Sequence, residues 1–153
     1  MELLLAIDLG VKAGLAMYSS GGKLLWYRSQ NYGSKSRLKI AIPNLLAEEN
    51  LRYLVIEGGG PLLKMWKQEV ERKNIEIITT MADDWRKDIL LNREQRSGKD
   101  AKQNAITYAH QVINHMAENR ATSLTDDAAE AILIGLWGMM KVGWIRDVGA
   151  FIK

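Results

Sequence analysis

The sequence predicts an α/β domain, in which a mixed five-stranded sheet with an antiparallel first three strands is flanked by helices. Three observations predict it. Two short apolar runs, Leu3–Ile7 and Tyr53–Glu57, lead to an acid with glycine close behind. The first three apolar segments are separated only by tight turn signals. Beyond them, stretches with helical spacing of apolar residues alternate with short runs rich in β-branched residues.

Leu3–Ile7 is continuously apolar and stops at Asp8-Leu9-Gly10, the pattern of a central strand. Ala13–Ser19 follows as a second strand, and Ser19-Ser20-Gly21-Gly22 is a turn. Lys23–Gln30 has the aliphatic and aromatic content of a third strand. Leu38, Ile42, Leu45 and Leu46 recur at helical spacing, and Pro43 inside that pattern predicts a kink or a restart. Tyr53–Glu57 is the fourth strand, and Pro61 after the Gly58–Gly60 run suits the first position of a helix over Leu62–Arg72. Ile75–Thr79 is the fifth strand. Asp83 or Asp84 can cap a helix starting near Trp85, and Ser97-Gly98 marks a break. A long helix is predicted over Lys99–Asn119, and a last one from near Thr125. No repeat or linker divides the 153 residues, so 1–153 reads as one domain.

Composition narrows the function. With no cysteine, disulfides and thiolate metal sites are excluded. No 18-residue apolar stretch occurs, which argues against a membrane span. "MELLLAIDLG" lacks the basic start and small-residue cleavage site of a secretory leader, so a cytoplasmic protein is expected. The net charge is +3. Its distribution says more, because Arg86, Lys87, Arg93, Arg96, Lys99 and Lys102 fall within one stretch that can grip phosphates. The glycines at 58–60 lack the Lys-Ser/Thr ending of a phosphate-binding loop, so no nucleotide cofactor is expected.

The acids raise the sharper question. Ala131–Met140 carries no charge, yet Asp126, Asp127 and Glu130 stand at its entrance. A carboxylate is costly to desolvate unless something positive meets it. The partner can be a Lys or Arg, the helix dipole, or a metal ion. Ser123 or Thr125 as N-cap, with Asp126 or Asp127 in the first turn, explains one or two acids at about 0.3–1 kcal/mol each. It explains neither Glu130, a turn further in, nor Asp8 and Glu57 at strand ends. Adjacent parallel strands lie about 4.8 Å apart, so two acids at neighbouring ends repel unless a cation sits between them. Asp127 and Glu130 share one helix face. Together the four acids suit Mg²⁺, which prefers oxygen ligands, and two such ions about 3.5–4 Å apart can drive phosphodiester hydrolysis.

Four stretches, "AIDLGVKAGLA", "LVIEGGG", "RSGKDAKQNAITYAHQVI" and "TDDAAEAILIGLWG", resemble in order and separation the motifs of the RuvC family of Holliday junction resolvases, within the RNase H-like nucleases. The likeness runs from about residue 3 to about residue 140. It implies an RNase H-like fold and a Mg²⁺-dependent endonuclease, with Mn²⁺ able to substitute and two ions per site. It also implies a homodimer that cuts four-way DNA junctions symmetrically. Asp8, Glu57, Asp127 and Glu130 would hold the metals, with Asp126 as substitute ligand. The family usually has Asp where this chain has Glu130, so the extra methylene must be absorbed by the helix position. Lys102 matches the family's helix lysine and would hold a phosphate near the scissile bond. Lys12, Arg93, Arg96 and Lys99 look like junction-backbone contacts. Met65 and Trp66 fit a core or interface role, and His110 and His115, five apart, read as ordinary helix residues. The competing readings are a related RNase H-like nuclease acting on RNA precursors or other branched DNA, a catalytically inactive junction-binding protein, and an actin-like ATPase. The last needs two such domains.

Overall fold

The computed structural model describes residues 1–89, 98–118 and 123–151. Leu3–Asp8 (β1), Lys12–Ser19 (β2) and Leu24–Asn31 (β3) form the expected antiparallel meander. Leu51–Glu57 (β4) pairs parallel to β1, and Glu76–Thr80 (β5) pairs parallel to β4. The sheet order is β3-β2-β1-β4-β5. The helices are Lys35–Leu45 (α1), Gly60–Val70 (α2), Ala82–Ile89 (α3), Gly98–Met116 (α4) and Asp126–Lys141 (α5). None of the described helices is long and apolar enough to cross a membrane.

Three of the helices differ from expectation in ways that bear on the fold. The helix does not restart at Pro43: α1 starts at the Ser34 cap, whose Oγ accepts from the Arg37 N–H, and runs through Pro43 to Leu45. Proline is tolerated there because the carbonyl it leaves without a partner belongs to Lys39, which is exposed to water. Helix α3 begins at Ala82, so Asp83 and Asp84 lie inside its first turn and favour its positive end instead of capping it. Helix α4 stops at Met116, short of the expected Asn119, which lies outside the described residues. There Ala117 makes a parallel bridge to Leu24, and the Glu118 N–H donates to the Leu24 carbonyl at 2.9 Å, so sheet pairing ends the helix.

The two faces of the sheet are covered separately. Leu3, Leu5, Ile7, Leu15, Met17, Leu54 and Ile56 pack with Leu38 and Ile42 of α1 and Trp66 and Val70 of α2. Trp66 is therefore a core residue. On the other face Leu4, Ala6, Ala16, Tyr18 and Val55 pack beneath α5, with α4 and Trp85 of α3 completing the layer. The alternation along each strand makes this division.

Helix α5 is buried all round from Ala128 to Met139, as its uninterrupted apolar sequence requires. Each fully buried Ile or Leu there contributes about 1.5–3 kcal/mol. Its closeness to the sheet depends on absent side chains. A Cβ at Gly135 would lie 2.3 Å from the Tyr18 ring, and one at Gly138 would lie 2.6 Å from Val55 Cγ2. The Tyr18 ring cannot swing away, because its buried hydroxyl donates to the Ile132 carbonyl at 2.6 Å. At the other end a Cβ on Gly14 of β2 would meet the Asp127 carbonyl oxygen at 1.9 Å.

Gly135→Ala is expected to lower stability by about 1–3 kcal/mol through overpacking. Gly21→Ala, where the nearest atom to a new Cβ is 3.8 Å away, should stay within about 0.5 kcal/mol of wild type. Equal urea midpoints for the two variants would contradict the close approach of α5.

Candidate metal centre

Asp8 and Glu57 end β1 and β4, and the parallel register pairs them directly. By alternation each follows Ala6 or Val55 onto the face covered by α5. The chain can turn sharply after Glu57 because Gly58 takes φ of 128° and lets Leu9 approach to within 2.9 Å of where a Cβ would stand. Glu130 reaches the same point from the second turn of α5, and it is only 8% exposed. Asp8, Glu57 and Glu130 each offer a carboxylate oxygen, and these oxygens lie within 4.8 Å of one another. Three hard oxygen ligands at that spacing fit a divalent cation of the Mg²⁺ or Mn²⁺ type.

Packing the acids together perturbs them. The Asp8 carboxyl is pushed up to about 9 from an ordinary 3.8. Burial is the largest cause, followed by its hydrogen bond with Glu57 and the charge of Glu130.

Helix α3 supplies partners that the spacing of its residues assigned elsewhere. The Trp85 indole donates from Nε1 to Glu57 Oε1 at 3.2 Å. Arg86, expected within a phosphate-gripping stretch, instead turns inward and donates from Nη2 to Glu130 Oε1. Its guanidinium carbon stands 5.3 Å from the centre of the Trp85 ring, and its buried Nε has no hydrogen-bond partner among the described residues. So an arginine, not the helix dipole, meets the innermost acid of α5. Thr125 is the N-cap of α5, but its side chain makes no capping hydrogen bond. The only local sequence signal for this role was the surplus of acids itself, because the spacing of Trp85 and Arg86 does not indicate which way either side chain faces.

Of the remaining expected residues, some fall around the three acids. Asp127 is not one of the converging three. Its Oδ2 faces Lys12 Nζ at 3.7 Å and accepts from Ser29 Oγ at 3.4 Å. Asp126 is exposed beside it. Lys12, Lys102, Thr125, Asp126, Asp127 and Glu130 line an open cleft of about 600 Å³ that leads to the acids. Lys102 and Lys12 thus stand on its wall, both exposed. Arg93 and Arg96, with the side chain of Lys99, lie outside the described residues. His110 and His115 are exposed on α4, and Met65 borders a shallow groove between α1 and α2.

Solved structures share this fold. The crystal structure of the fowlpox virus Holliday junction resolvase superposes with a TM-score of 0.71 at 16% identity, covering 91% of this chain and 99% of that one. The fowlpox resolvase in complex with substrate Holliday junction DNA gives 0.64 at 19% identity, covering 90% and 99%. T. thermophilus RuvC in complex with a Holliday junction substrate gives 0.64 at 11% identity, covering 94% and 98%. The fold is that of the RuvC-like resolvases, with the RNase H-like mixed sheet expected from the sequence. No protein-family model and no curated protein sequence matches the chain.

A carboxyl whose pKa is higher folded than unfolded binds more protons in the folded state. The metal-free fold therefore loses stability as pH rises from about 4 towards about 9, and keeps that contribution below the lower value. Asp8→Asn removes the ionisation. Without divalent ions at pH 7 it should raise the melting temperature by a few degrees, at about 2–4 °C per kcal/mol. The gain should shrink towards pH 4. A variant that melts lower than wild type at pH 7 would contradict this reading of Asp8.

Proposed function

We propose that residues 1–153 form a divalent-metal-dependent endonuclease domain that resolves four-way DNA junctions, working as a homodimer with one cut per subunit. The observation that carries the proposal is the meeting of Asp8, Glu57 and Glu130. They are distant in sequence, and they converge in a fold shared with resolvases whose structures hold Holliday junctions. A two-fold protein suits symmetric nicks in a two-fold substrate.

Asp8, Glu57 and Glu130 would hold the metal, Mg²⁺ or Mn²⁺. The bound ion supplies Lewis acidity towards the phosphate and lowers the pKa of a water. The chain's own groups do the rest. Trp85 holds one oxygen of Glu57 by hydrogen bonding and so fixes the orientation of that carboxylate. Lys12 and Ser29 fix Asp127 at the mouth of the cleft, where it would help to hold a second ion. Asp126 stands in reserve as a ligand. Lys102 faces the cleft as a point charge that holds the scissile phosphate. Lys12, Lys99, Arg93 and Arg96 extend the contact along the junction backbone, which positions the DNA without reading its sequence.

Labelled four-way junction, linear duplex and RNA–DNA hybrid, each incubated with Mg²⁺ or Mn²⁺, test the reading. Symmetric paired cuts confined to the junction are expected. Equal cutting of linear duplex would remove the junction assignment, and preferred cutting of the hybrid would favour a nuclease acting on RNA. Loss of a residue that merely orients a ligand costs about 10–100-fold, so Asp8→Asn and Glu57→Gln should each cost at least that much. Asp127→Asn should slow cleavage much more than Asp126→Asn. Lys102→Ala should weaken junction binding and reduce its salt dependence by about one unit of log–log slope.

A further inference from the structure

We infer that Arg86 is a resident cation of the carboxylate site, which competes with divalent ions for Glu130 and so sets how readily the site takes up metal. The inference rests on the metal-centre reading above. Glu130 is buried, and its Oε1 already accepts from Arg86 Nη2. If all three acids are ionised the cluster carries three negative charges, and Arg86 offsets one of them. Arg86 is the one cation in an ion pair with this cluster among the described residues, since Lys12 is engaged by Asp127.

The position of Arg86 is fixed from below. Trp85, its neighbour in α3, is fully buried, carries the guanidinium over its ring, and holds Glu57 through its indole N–H. One helical turn therefore touches two of the three acids. The guanidinium is only partly satisfied, because its buried Nε has no partner among the described residues. A divalent ion entering between Asp8, Glu57 and Glu130 must share Glu130 with Arg86 and sit near a like charge. A guanidinium cannot shed its proton to escape that repulsion. Arg86 is thus a positioning residue. It holds the innermost acid in place while the site is empty and opposes the first ion that arrives.

Manganese titration by calorimetry, without nucleic acid, tests this on wild type, Arg86→Gln and Arg86→Lys, with thermal melting of each protein alongside. Gln keeps an N–H donor for Glu130 and removes the charge, while Lys keeps the charge. Repulsion between a guanidinium and a dication at this range should weaken binding at least about tenfold. Arg86→Gln is therefore expected to bind Mn²⁺ at least about tenfold tighter than wild type, and Arg86→Lys to remain close to wild type. Mn²⁺ should also raise the melting temperature of Arg86→Gln more than that of wild type. Mere structural damage would weaken metal binding, the opposite direction. Binding by Arg86→Gln that equals wild type or is weaker overturns the role of Arg86 while leaving the metal centre in place. Equal tightening in the Lys variant overturns it too, since charge would not be the cause. Absence of Mn²⁺ binding in all three proteins overturns both the inference and the metal centre.

Discussion

The mutual repulsion of three carboxyl groups governs this molecule more than any other interaction. Asp8, Glu57 and Glu130 bring oxygens within 4.8 Å of one another, with Glu130 buried and the two strand-end acids half-buried. Hydrophobic burial places them there, since each continues or borders an apolar stripe, and electrostatics resists the placement. The structure meets that resistance in three ways. Asp8 holds its proton far above the usual carboxylate range. Glu130 takes a guanidinium, and Glu57 takes an indole N–H. A buried charge pair is a weak source of stability, because desolvation offsets much of the attraction. These contacts make the cluster tolerable; they are not what holds the fold together.

The fold is held by the opposite kind of contact, between surfaces with almost nothing on them. Gly14, Gly135 and Gly138 bring α5 close to β1, β2 and β4. That approach also sets the height of Glu130 above the two strand ends. A helix standing off by the thickness of a methyl group would carry Glu130 away from Asp8. Glu130 has one methylene more than aspartate, and the reach of the acid and the closeness of the helix together decide where its oxygens arrive. Core packing and site geometry are here one constraint.

Much of this was legible in the sequence, for local reasons. The strand-end acids were visible because an apolar run that stops at an acid and then glycine fits the end of a buried strand and little else. The meander of β1, β2 and β3 was visible in its turn signals, and α5 in its apolar length. The sequence did not reveal contacts made across the fold. Arg86 and Lys87 are adjacent and chemically alike, and only the packing of Trp85 decides that Arg86 faces inward. Asp127 shares a helical face with Glu130, as its spacing predicted, but Gly14 brings β2 so close that Lys12 and Ser29 claim it. The end of α4 was misplaced because pairing with Leu24, not helix propensity, stops it.

The Tyr18 hydroxyl and the Ile132 carbonyl that accepts from it are 114 residues apart along the chain. The central layer of the molecule is therefore closed by its last long helix, not by its neighbours in sequence. While the ribosome is still extending the polypeptide, the sheet can pair, but its α5-facing side stays bare and Asp8 and Glu57 have no Glu130 above them. The acidic centre needs the start of this helix, so a truncated product ending before Glu130 carries the strands without the site. Whatever chemistry these acids perform is withheld from any copy that stops short of that helix.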